Sequence, residues 1–129
     1  MFQVIDMHCD TIPALQWKEK QEHLADADLQ INLDKLEKGG SLCQCFSLFT
    51  FLKGLKDETP FEHVRKLADL WKSEVERYPD RICQIKTYAD LMQVQKEGKI
   101  GAVMTVEEGG VYAVSYTHLR AHETRGNLV

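Results

Sequence analysis

The chain has 129 residues, 43% of them hydrophobic and 28% charged, the make-up of one globular domain. A net charge of −4 offers no basic field to nucleic acid or to an anionic membrane surface. No stretch is apolar for the length of a membrane span, and the opening MFQVIDMHCD lacks the pattern of a signal peptide. A cytoplasmic protein with neither nucleic acid nor membrane as partner is the expectation.

The segment from Phe2 to Met7 is rich in apolar and β-branched residues and reads as a short strand, with a turn at Thr11-Ile12-Pro13. Residues 14–25 are charged and weakly periodic, a surface helix or ordered loop. Asn32 to Lys38 predicts one or two helical turns, closed by Gly39-Gly40. From Leu42 to Phe51 the run LCQCFSLFTF is apolar almost throughout, as in a strand buried on both faces. Thr59, Pro60 and Glu62 then form a helix start, and apolar residues from Phe61 to Tyr78 recur at three- and four-residue spacing. Arg81 to Lys86 predicts a short strand, Thr87 to Lys96 a second helix ended by Gly98, and Ile100 to Val106 another apolar strand.

Strands without a polar face, separated by amphipathic helices, point to a parallel α/β sheet covered by helices. Two polar clusters fall where strands end: His8 and Asp10 after the first, Glu107 and Glu108 after the last. In such sheets the carboxyl ends of the strands are where sites are built. An imidazole and a carboxylate two residues apart suit zinc or a similar first-row ion, and a glutamate from another strand end is a natural third ligand. Asp6, two residues before His8, is placed either to hold the His8 ring or to support the turn. Four cysteines are too few and too unevenly spaced for a disulfide framework. Cys43 and Cys45 would share one strand face, where buried thiols are the expected reading and a soft-metal pair the alternative. His23 and His63 are expected on the surface, Trp17 at the site mouth and Trp71 in the core.

The string Asp6-Met7-His8-Cys9-Asp10-Thr11-Ile12-Pro13 resembles the D-x-H-x-D-x-x-P opening of the membrane dipeptidase family, peptidase family M19. The resemblance continues through Tyr78-Pro79-Asp80, Tyr88-Ala89-Asp90-Leu91, and Gly98-Lys99-Ile100 leading to Val106-Glu107-Glu108-Gly109-Gly110, covering residues 2–112. It implies a (β/α)8 barrel of TIM type with two zinc ions at the C-terminal face of its strands. It also implies zinc-dependent hydrolysis of small dipeptides. By position, His8 and Asp10 would bind one zinc and Glu107 would bridge the two, with Glu108 as the alternative.

A barrel of this type needs about 250 residues, and the pattern supplies about three strand–helix units. Residues 1–113 are therefore read as the N-terminal portion of a truncated barrel, inactive by itself and prone to aggregate, whose parent is left open as a homo-oligomer. Residues 114–129 break the family pattern and resemble a translated adapter read-through, so His118 and His122 are set aside as ligands despite their spacing. The competing readings are another metal-dependent amidohydrolase of the same barrel type, and a non-catalytic chain that is misfolded or binds metal through Cys43 and Cys45.

Overall fold

The computed structural model describes residues 2–112, so the reading of residues 114–129, with His118 and His122, lies outside the described residues. Four strands form one sheet: β1 (Val4–Cys9), β2 (Ser41–Leu48), β3 (Ile82–Gln84) and β4 (Ile100–Val106). They lie in the order β1-β2-β4-β3, and every pairing is parallel. Four α-helices accompany them: α1 (Thr11–Gln16), α2 (Leu33–Lys38), α3 (Pro60–Arg77) and α4 (Tyr88–Glu97). None of the described helices is long and apolar enough to cross a membrane.

The two longer helices start as their sequences dictate. The Thr59 hydroxyl accepts the Glu62 amide, and the Glu62 carboxylate accepts the Thr59 amide at 2.8 Å, with Pro60 at the first helical position. Thr87 and Asp90 close the same reciprocal pair at the head of α4. Gly98 ends α4 in the left-handed region at φ 67°, a conformation that costs a side-chain-bearing residue and not glycine.

Boundaries differ from the sequence reading where tertiary contacts intervene. Strand β1 runs on to Cys9, because residues 4–9 find β2 as a partner. Thr11-Ile12-Pro13 is the first turn of α1 rather than a simple turn, since it buries Thr11, Ile12, Pro13 and Leu15. Strand β2 ends at Leu48, where its pairing with β4 ends, so Thr50 and Phe51 lie in a loop. Strand β3 keeps only three residues, those that pair with the start of β4.

The main core lies on one face of the sheet. Phe46 and Leu48 of β2 and Ala102 of β4 are fully buried and cluster with Val64, Leu67 and Trp71 of α3. The other face is covered only in part: Leu91 and Val94 of α4 pack there with Cys43, Ile85 and Val103. There Ile5, Met7, Cys43, Cys45 and Val103 line an open groove of ≈ 590 Å³ with Ile85 and Leu91. Strand β1 lies at the sheet edge, and its Ile5 and Met7 are 51% and 71% exposed. An apolar strand is buried only where a second layer reaches it, and among the described residues none covers this end of the sheet.

Two long-range polar links tie the connections to this frame. Residues 17–32 form no regular element but are pinned to α3, where Glu74 accepts His23 Nδ1–H at 2.8 Å and the Leu24 amide at 2.7 Å. His23 is therefore not a solvent-facing residue. His63 is likewise half-buried, its Nδ1 3.0 Å from the hydroxyl of the buried Thr50. The second link is Arg81, which donates to Asp34 and to both carboxylate oxygens of Glu37 on α2, at 2.6–2.7 Å. These hydrogen bonds hold the Asp34 and Glu37 carboxyls below their usual range. A carboxylate with a depressed folded pKa stabilises the fold above its unfolded pKa of about 4 and stops doing so as pH falls through the folded value. We expect acid unfolding of the Arg81→Met chain to begin at higher pH than in the wild type, followed by circular dichroism between about pH 5 and 2. Superimposable acid transitions would refute the role given to this link.

Candidate metal centre

The C-terminal ends of β1 and β4 reach the same rim of the sheet on either side of β2. Along β2 and β4 the register is regular from Cys43 opposite Gly101 to Leu48 opposite Val106. Strand β1 is irregular: it advances from Asp6 to Cys9 while β2 advances only from Gln44 to Phe46. An extra residue of this kind bends a strand and re-aims its side chains. His8 sits in that stretch, while Cys9 beyond it turns into the core.

His8 Nε2 lies 3.3 Å from Asp10 Oδ1 and 3.7 Å from Glu107 Oε2. One ligand atom from each of the three residues lies within 4.8 Å of the others, the only such group of three or more found among the described residues. All three side chains are about half exposed. Asp10 precedes α1 at the cap position, yet its carboxylate makes no capping hydrogen bond and is left to face the imidazole. Glu107 follows β4 directly, and its Oε2 accepts the hydroxyl of Ser47 at 2.9 Å.

The neighbouring acids point elsewhere. Glu108 Oε1 accepts the Gly110 amide at 2.9 Å, closing a tight turn on its own backbone. A Cβ at position 110 would meet the same oxygen at 2.8 Å and push the Glu108 carboxylate out of this turn. Of the two glutamates only Glu107 joins the group. Asp6 Oδ1 accepts the His8 main-chain amide at 3.2 Å, so Asp6 shapes the strand end and does not hold the His8 ring.

One imidazole nitrogen and two carboxylate oxygens form a donor set suited to zinc and its first-row neighbours. Ligand atoms at about 2.0–2.1 Å from a tetrahedral ion lie roughly 3.3–3.4 Å apart, which matches the 3.3 Å between His8 and Asp10 and falls short of the 3.7 Å between His8 and Glu107. The residues present fit such an ion with a small adjustment of Glu107. The cysteines do not compete: no third ligating residue joins Cys43 and Cys45 among the described residues. Burial pushes the thiols of Cys9, Cys43, Cys45 and Cys83 upward, away from the thiolate form that binds metal.

Beside His8 and Asp10 opens a cleft of ≈ 320 Å³ walled by Thr11, Ala14, Leu29 and Ile31. Trp17, expected at the site mouth, is not among its lining residues and is 66% exposed at the end of α1. Trp71 is buried in the core as expected. The sequence reading missed Ser47 and the 29–31 wall. The one signal for Ser47 was a hydroxyl near the end of a mostly apolar strand; residues 29–31 carried none.

A family model described as membrane dipeptidase (peptidase family M19) matches residues 1–129. No curated protein matches the chain. Among solved structures, an amidohydrolase from Pseudomonas aeruginosa is similar, with a TM-score of 0.55 and 13% sequence identity over 73% of this chain. The chain spans 27% of that protein's length. The described mixed α/β fold, a parallel four-stranded sheet with helical connections, is consistent with part of a TIM-type barrel.

Proposed function

The chain belongs to the membrane dipeptidase family, a family of peptidases, and on that premise we propose that His8, Asp10 and Glu107 hold a zinc ion used to hydrolyse dipeptides. The observation that carries this reading is the convergence of one imidazole and two carboxylates from the ends of β1 and β4, strands that are not paired with one another. A zinc ion held there supplies Lewis-acid polarisation of the scissile carbonyl and lowers the pKa of water.

The chain's own residues do the rest. His8 offers Nε2 in its neutral form, while the Asp10 and Glu107 carboxylates balance the charge of the cation. The cleft walled by Leu29 and Ile31 gives a substrate side chain an apolar surface next to these ligands. Family membership implies two ions, and three ligands furnish part of that set. Histidines from strands beyond Glu107 complete it in our reading, so dipeptide hydrolysis is an activity of the whole barrel and the 129-residue chain alone is inactive. A small dipeptide as the partner and a cytoplasmic location belong to the same proposal.

Calorimetric titration of the purified chain with Zn2+ tests the ligand set. We expect His8→Ala and Glu107→Gln each to weaken binding by at least about 100-fold, more than the loss of a supporting residue costs. The double change Cys43→Ser, Cys45→Ser is expected to leave it unaltered. Metal that survives His8→Ala but is lost with the two cysteines would overturn the assignment. Zinc-dependent cleavage of a dipeptide by the pure chain would overturn the expectation of inactivity.

A further inference from the structure

We infer that Ser47 is a positioning residue for the metal centre, holding the Glu107 carboxylate in the orientation in which it faces His8. The inference rests on the zinc reading above and adds to it a residue from a third strand, β2. Ser47 is completely buried one residue before the end of β2, the strand that lies between β1 and β4. Its hydroxyl donates to Glu107 Oε2 at 2.9 Å, and that same oxygen lies 3.7 Å from His8 Nε2.

The arrangement has a clear physical effect. Glu107 stands just beyond the last paired residue of β4, half exposed, where a three-torsion side chain has solvent to explore. Its two oxygens are equivalent until something distinguishes them. A donor fixed in a packed strand does so: it selects one oxygen and restricts the rotation of the carboxylate. The neighbouring hydroxyl on β4 is already engaged. Thr105, which pairs with Ser47 in register, donates to the Phe46 carbonyl at 3.1 Å. Partners that orient metal ligands in this way typically change affinity by about 10–100-fold when removed.

A purely structural serine would predict something different, so the test separates the two. Zn2+ affinity of the full 129-residue chain is measured by calorimetry, with thermal unfolding of the metal-free chain as a second readout. We expect Ser47→Ala to weaken zinc about 10–100-fold, Ser47→Thr, which keeps the donor, to retain most of the affinity, and Thr105→Val to leave it unchanged. If Ser47→Ala does not fold, Ser47→Cys serves in its place: a weaker donor of similar size, expected to show an intermediate loss. The Co2+ absorption spectrum should shift in the serine variants that still bind, because the geometry of the carboxylate ligand changes. Wild-type affinity in Ser47→Ala together with loss in Glu107→Gln would overturn the role of Ser47 and leave the metal reading standing. Absence of zinc binding by the wild-type chain would instead overturn the metal reading, and this inference with it.

Discussion

Glu74→Ala is expected to lower the stability of the chain by roughly 2–4 kcal/mol, the cost of losing hydrogen bonds to a buried carboxylate and leaving a buried amide without a partner. The carboxylate sits on the inner side of α3 with 2% of its side chain accessible. It remains there because three donors meet it: the His23 imidazole at 2.8 Å, the Leu24 amide at 2.7 Å and Arg77 Nε at 3.6 Å. Truncation strands the Leu24 amide in a buried position and leaves the imidazole without its partner. It also frees residues 17–32, a segment without helix or strand whose Leu29 and Ile31 wall the cleft beside His8. Urea unfolding measures the loss directly. Glu74→Gln, which keeps the shape and one acceptor, should lose clearly less. A change below about 1 kcal/mol for Glu74→Ala would mean that the segment is held by its apolar residues, Leu24 and Ala27, and not by the carboxylate.

Phe46→Ala is expected to cost a similar amount, roughly 3–5 kcal/mol, for a different reason. Phe46 is fully buried on β2, level with Cys9 of β1 and Met104 of β4, in the cluster that includes Leu67 and Trp71. Its removal leaves a cavity that a sheet backed by a long helix cannot collapse to fill. The opposite face provides the contrast. Met7→Ser, at a side chain 71% exposed, should stay within about 0.5 kcal/mol. Equal losses at the two positions in chemical denaturation would contradict the burial that separates them.

The elements themselves were legible because their signals are local. Thr59-Pro60-Phe61-Glu62 carries both halves of a capping box and a proline at the position where no amide is needed, and α3 begins there. Gly98 and the apolar run of Ile100 to Val106 marked the end of α4 and the whole of β4 without error. Thr11-Ile12-Pro13 misled, because a proline near a short polar stretch signals a turn and equally the first turn of a helix; burial of Ile12 decided for the helix. β2 was read three residues too long at its C-terminal end. Phe49 to Phe51 are as apolar as the strand before them, and only the end of pairing with β4 ends it.

By itself the sequence determined the types and places of the chemistry: His8 and Asp10 at one strand end, a glutamate at another, in the order of a recognisable family. It could not decide which glutamate stands with His8, since Glu107 and Glu108 differ by one position and hence by nearly the whole direction of their side chains. The tertiary structure decided that through the register of β4 on β2, and through the Gly110 amide that draws Glu108 away. It alone placed Ser47, sixty residues from Glu107 in sequence, and Glu74 against His23, fifty-one apart. Contacts at such separations follow from how strands align and helices lie across them, and no local pattern of residue types encodes that alignment.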